Sequence, residues 1–118
     1  MTNVIKAAAG IILVLVAGAL RAEVRFLDQN WSQAEREWFY HASQGSELVP
    51  YRIFLHLETA DGEQLFRADR NIRRFGFIPS PPTRYNPDGL PVGFTRSRVH
   101  VGPTCAACHT QQFDYQGV

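Results

Sequence analysis

The sequence predicts a mostly α chain: short helices, a long Pro-rich loop, and a final helix that carries a Cys-x-x-Cys-His motif. Three observations lead there. Apolar residues recur at helical spacing behind a capping signal near residue 31, five prolines crowd positions 79 to 91, and Thr104 stands ahead of a run suited to a helix. At 118 residues the chain has room for one domain.

Residues 1–22 read as a targeting segment rather than as fold. Met1 to Lys6 is polar and basic, Ala7 to Leu20 is almost wholly apolar, and small residues follow at Ala17, Gly18, Ala19 and Ala22. That is the order of a secretory signal peptide. The apolar run is about 14 residues, short of the ~20 that a spanning helix needs. Cleavage after Ala19 or Ala22 fits, and an uncleaved membrane anchor is the alternative. The expected domain is therefore 23–118, with a periplasmic address. Cleavage would remove Lys6 and Arg21 and leave arginine as the only strongly basic residue type. The remainder is close to neutral, which excludes a polycationic nucleic-acid binder.

Trp31, Ala34 and Trp38 fall on one face of a helix expected over Trp31–Ala42, with Ser32 and Glu35 as a capping box and Gly45 as the stop. Tyr51–Glu58 is apolar with an ambiguous period and is read as helix. Asp61–Phe75 reads as one helix or two short ones, with Arg67, Arg70 and Arg74 on a single stripe. Such a stripe is either a solvated face or a cationic surface for a redox partner or for acidic groups of a cofactor. Gly76 ends the helix. Pro79, Pro81, Pro82, Pro87 and Pro91 then forbid regular helix or central strand. Asn86-Pro87-Asp88-Gly89 marks a turn inside this loop. Thr104 is the expected N-cap of a helix over Cys105–Phe113.

Cys105-Ala106-Ala107-Cys108-His109 is the attachment signature of a c-type haem. On one helical turn, two thiols three positions apart project from roughly one side, so each can add to one haem vinyl group. His109 follows directly as proximal iron ligand. A disulfide between cysteines so close would close too small a ring to stabilise much. A thioredoxin-like dithiol lacks its β-α-β surroundings, and a structural zinc site lacks two ligands. The signature and the export segment agree, because bacteria attach haem covalently outside the cytoplasmic membrane. The expected cofactor is one covalent haem c, loaded by the periplasmic attachment machinery.

No methionine would remain after signal cleavage, since Met1 is the only one. The sixth iron ligand must then be a histidine, water or nothing. His41, on the apolar face of the first helix, is the first candidate, ahead of His56 and His100. A surface or hydrogen-bonded core histidine is the alternative for each. Trp31, Trp38, Phe39, Phe54, Leu55, Phe75 and Phe77 are candidates to wall the haem, and Arg96, Arg98 or the arginine stripe to pair with its propionates.

Longer stretches carry a family resemblance. They are Trp38-Phe39-Tyr40-His41, Ser43-Gln44-Gly45-Ser46, Pro50-Tyr51, Phe54-Leu55 and Arg73-Arg74-Phe75-Gly76-Phe77. Asn86-Pro87-Asp88-Gly89-Leu90-Pro91-Val92-Gly93-Phe94, Thr104 to Thr110, Tyr115 and Gly117 continue them. Over residues 30–118 the chain resembles the N-terminal part of bacterial periplasmic c-type cytochromes related to dihaem cytochrome c peroxidases and rubber-oxygenase-like haem proteins. The resemblance implies a first haem site at Cys105, Cys108 and His109. Proteins of that kind continue far beyond this point with a second haem motif, which is absent here. Peroxidase or oxygenase activity is therefore not carried over, and no catalytic residue is assigned. The expected function is periplasmic electron transfer to an unidentified redox partner. The alternatives are a fragment of a dihaem peroxidase or oxygenase, inactive alone, and a non-haem redox or metal module.

Overall fold

The structure is a computed structural model and describes residues 24–115. The expected signal segment lies outside the described residues. Among the described residues, no helix is long and apolar enough to cross a membrane.

The expectation of a mostly α chain is corrected by the structure, which is 27% helix and 12% strand and is organised on a small antiparallel sheet. Helix α1 spans Gln33–His41, strand β1 Val49–Pro50, helix α2 Tyr51–His56 and helix α3 Asp69–Arg74. Strand β2 spans Phe94–Arg96, strand β3 His100–Pro103 and helix α4 Ala106–His109. The sheet order is β1-β3-β2, and Val101 is paired with Val49 on one side and Arg96 on the other. Strands of two to four residues leave almost no room for a period of two to show. Prolines also stand in two of them, Pro50 on an edge strand and Pro103 at the last position of β3, where a missing N–H costs least.

Helix α1 forms as its signals require. The Ser32 hydroxyl accepts the Glu35 N–H, and the Glu35 carboxylate accepts the Ser32 N–H, at 3.3 and 2.8 Å. The Ser32 hydroxyl also donates to the Glu35 carboxylate at 2.7 Å, and this bond, with the Ser32 N–H, holds the Glu35 carboxyl below its ordinary value. The helix ends at Ala42, before Gly45. Helix α2 also forms, two residues shorter than expected. The Asp61–Phe75 region does not become a long helix. Its first part is a turn closed by a bridge between Glu58 and Leu65, and only Asp69–Arg74 coils. Thr59 explains this locally: its N–H reaches the Gln64 carbonyl, which commits that backbone to a hairpin-like return.

Tyr51, Phe54, Leu90 and Val101 form the core, with Val49, Leu55, Phe66 and Phe94 packed on it. Phe94 stacks on Phe54 at 6.2 Å and meets the edge of Phe77 at 4.9 Å. The Pro-rich loop is ordered by its backbone bonds. Val92 N–H reaches the Ile78 carbonyl, and the buried Asn86 side chain clamps both the N–H and the carbonyl of Leu90, at 2.9 and 2.8 Å.

The tightest joint is at Gly93. Its N–H donates to the Tyr40 carbonyl of α1, and its own carbonyl accepts the Thr104 N–H just before α4. Its φ is +81°, and a Cβ there would overlap the backbone of Ala107 and Ala106. Gly93→Ala is therefore expected to lose at least about 2 kcal/mol of stability, through steric overlap added to left-handed backbone strain. Gly45→Ala, at φ +84° with open space around it, loses only the strain, about 1 kcal/mol. Urea unfolding of the two variants measures the difference.

Candidate functional site

The Cys-x-x-Cys-His motif is presented by the end of the sheet. Strand β3 runs into Thr104, whose N–H is held by Gly93 and whose hydroxyl lies 3.4 Å from the Tyr40 carbonyl. The same hydroxyl accepts the Ala106 N–H at 3.2 Å, so Thr104 supports the first turn, but the helix starts at Ala106 and its cap position is Cys105 rather than the expected Thr104. Gln44 adds a contact that the sequence did not reveal: its Oε1 accepts the Cys105 N–H at 3.0 Å. Nothing in the spacing of Gln44 points to this role, because the two residues meet only across the fold.

Helix α4 is a single turn, Ala106–His109, and not the longer helix expected to Phe113. The backbone turns extended at Thr110, with φ −123° and ψ 129°. Within the turn, the Cys108 and His109 N–H groups both reach the Cys105 carbonyl, at 3.2 and 3.0 Å. Ala106 is buried and Ala107 half-buried, while Cys105, Cys108 and His109 are exposed. The small residues thus face the protein and let the turn settle onto Gly93. The three reactive side chains face outward. Both thiols are free.

The donor set is two free thiols and an imidazole, all exposed on one turn; Cys105 and Cys108 would anchor a haem and His109 would supply an iron ligand. The enclosure is less complete. Phe54 belongs to the core, Leu55 packs on it, and Phe77 is spent on Phe94. Phe39 is half-buried and its ring lies 5.1 Å from that of Trp31. Trp38 and Phe75 remain exposed, as do Phe113 and Tyr115 beyond the motif. Among the described residues, no three His, Cys, Asp or Glu side chains gather to hold a metal ion.

The other candidate residues are dispersed. His41 is buried, and its Nδ1 lies 3.1 Å from the Phe94 carbonyl. It lines a cleft whose walls come from residues 85–98 and include none of the motif residues. His56 is exposed on α2. His100 is half-buried with Nδ1 3.6 Å from the Glu47 carboxylate, which also accepts the Ser97 hydroxyl at 2.7 Å. The arginine stripe is broken: Arg70 and Arg74 lie on α3, whereas Arg67 precedes it and donates from Nε to the Leu55 carbonyl. Arg96 is paired with Asp88 at 3.4 Å, and Arg98 is exposed.

No protein-family model matches the chain, and no solved structure matches it. It is similar to a curated relative, uncharacterized protein y4iJ of Sinorhizobium fredii, with 35% identity over 121 aligned positions. The match takes in 80% of this chain and 20% of that protein, so the chain spans about a fifth of the length of the curated relative it matches.

Burial pushes His41 below the ordinary imidazole value of 6.5, against the opposing pull of the Phe94 carbonyl and the Glu37 charge. The unfolded chain then takes up this proton more readily than the folded one. The stabilisation is full above about pH 6.5 and falls as the pH drops below it, until the folded imidazole also protonates. His41→Gln is expected to flatten this part of the pH dependence. Urea midpoints from about pH 7.5 to about pH 5.5 on both proteins measure the change in slope.

Proposed function

We propose that this chain is the haem-bearing module of a periplasmic c-type cytochrome, with one haem c held covalently by Cys105 and Cys108 and ligated by His109. The observation that carries the proposal is the outward presentation of two free thiols and an imidazole on one short turn, with the alanines between the cysteines turned inward. Cys105 and Cys108 would each add S–H across one vinyl group, sulfur to one carbon and the proton to the other, which needs no oxidant. When bound, the haem supplies one-electron chemistry of iron. The protein's part is to fix the turn: Gln44 and Gly93 hold it from two separate segments, and Thr104 from its own leading end.

The open surroundings of the motif favour electron transfer over catalysis by these residues alone. With Cys105, Cys108 and His109 exposed, a donor or acceptor protein would be able to approach a group held there. The exposed Trp38, Phe75, Phe113 and Tyr115 are apolar surface for a wall supplied from elsewhere. The companion reading is a fragment of a dihaem peroxidase or oxygenase, inactive alone; it rests on the sequence resemblance, and the match to only 20% of a longer relative is compatible with it. In that reading the further chain completes the pocket.

The test is co-expression with a periplasmic haem-attachment system, followed by haem staining of denaturing gels and visible spectra. The expected result is a stained band with reduced α and β absorption bands. A Cys105→Ser/Cys108→Ser double variant loses the stain completely. His109→Ala keeps the stain but shifts the reduced spectrum, because the proximal ligand is gone while both thioethers remain. Soluble native-sequence protein without retained haem overturns the proposal. Carbon monoxide binding to the reduced protein reports whether the sixth position is exchangeable.

A further inference from the structure

A second feature lies apart from the motif. A cleft of about 380 Å³ opens between the end of α1, the Tyr85–Leu90 turn and strand β2 with the Ser97–Arg98 turn that follows it. Three separate segments converge on it, and its size falls in the roughly 300–1,000 Å³ range of small-molecule sites. Its lining includes the apolar surface of Tyr85 and Pro87. It also includes the polar residues His41 and Thr95, which are only 7% and 5% exposed.

The charges in the cleft are unequally engaged. Arg96 is held between the Asp88 carboxylate at 3.4 Å and the face of Tyr51 at 4.3 Å. Arg98 is exposed, and neither ion pair found among the described residues includes it. The Glu47 carboxylate also reaches the rim, accepting the Ser97 hydroxyl at 2.7 Å, so the carboxylates Asp88 and Glu47 stand against Arg96 and Arg98, and Arg98 is the cation left for one anionic group. His41 has Nδ1 engaged at the Phe94 carbonyl, so Nε2 is its remaining polar atom for a ligand.

We propose that this cleft binds a small amphipathic carboxylate, with its anionic end at Arg98 and Arg96 and its apolar body against Tyr85 and Pro87. Arginine matches a carboxylate with paired donors, and the Asp88 contact holds Arg96 in place before the ligand arrives. The Pro-rich loop serves here as one rigid wall, because the Asn86 clamp on Leu90 orders the turn independently of any ligand.

The experiment is an NMR titration of the purified full chain with benzoate, and in parallel with neutral benzyl alcohol. Benzoate is expected to give saturable shifts at His41, Thr95 and Arg98, with affinity falling as salt is raised. Benzyl alcohol is expected to bind at least about tenfold more weakly, since it lacks the charge-assisted bonds. Arg98→Gln changes an exposed turn residue and is expected to weaken benzoate by about tenfold or more with the rest of the spectrum unchanged. Equal binding of benzyl alcohol, salt-independent benzoate binding, or no saturable shift at these residues overturns the proposal. The salt series on the native sequence keeps the test decisive if the variant folds poorly.

Discussion

The close approach of Gly93 to α4 is the contact on which the rest of the arrangement depends. A backbone without a side chain sits under the Ala106–Ala107 peptide, donates to Tyr40 and accepts from Thr104. One residue thereby ties the end of α1, the start of β2 and the entrance to the Cys-x-x-Cys-His turn. No larger residue could take this place without moving the turn away from the sheet. The hydrophobic core is small, so such backbone joints carry more of the specificity than they would in a larger domain. Asn86 plays the same part for the Pro-rich loop, replacing absent backbone partners with its own amide.

The joint decides which side chains are available for chemistry. With Ala106 and Ala107 turned toward the protein, Cys105, Cys108 and His109 have only the outward direction left. The aromatic residues divide in the same way. Phe54, Phe77 and Phe94 satisfy each other inside, whereas Trp38 and Phe75 stay on the surface. Thiols and imidazole are thus free to react, while the surroundings offer a partial wall rather than a closed pocket. This balance fits a module that holds a group at its edge, where another protein or another part of a longer chain can reach it.

The histidines show how burial separates residues of one type. His41 looked suited to iron because it lies on the apolar side of α1. Its position beside the Phe94 carbonyl instead places it in the wall of a cleft bounded by the Pro-rich turn and β2. His100, near the motif in sequence, faces Glu47 and the β2–β3 turn. The arginines divide likewise between Arg67, drawn onto the Leu55 carbonyl, and Arg70 and Arg74, left in solvent.

The sequence by itself determined the parts that rest on local rules. The capping box of α1, the turn at Asn86–Gly89, the halt at Gly76 and the support of Thr104 for the final turn are all set by residues within a few positions of one another. The Cys-x-x-Cys-His spacing is equally local, and so the candidate attachment site was legible without coordinates. Only the tertiary structure decided the sheet, because Val49 meets Val101 across a long separation, and the local β2–β3 hairpin that pairs Arg96 with Val101 uses strands too short to display a period. It alone shortened α4 and the Asp61–Phe75 helix, broke the arginine stripe, and brought Gln44 to the Cys105 amide. For Arg67 and the Cys105 amide a partner from another element outweighed a local helical preference of about a few tenths of a kcal/mol per residue, whereas the Asp61–Phe75 helix is cut short by the nearby Thr59–Gln64 bond.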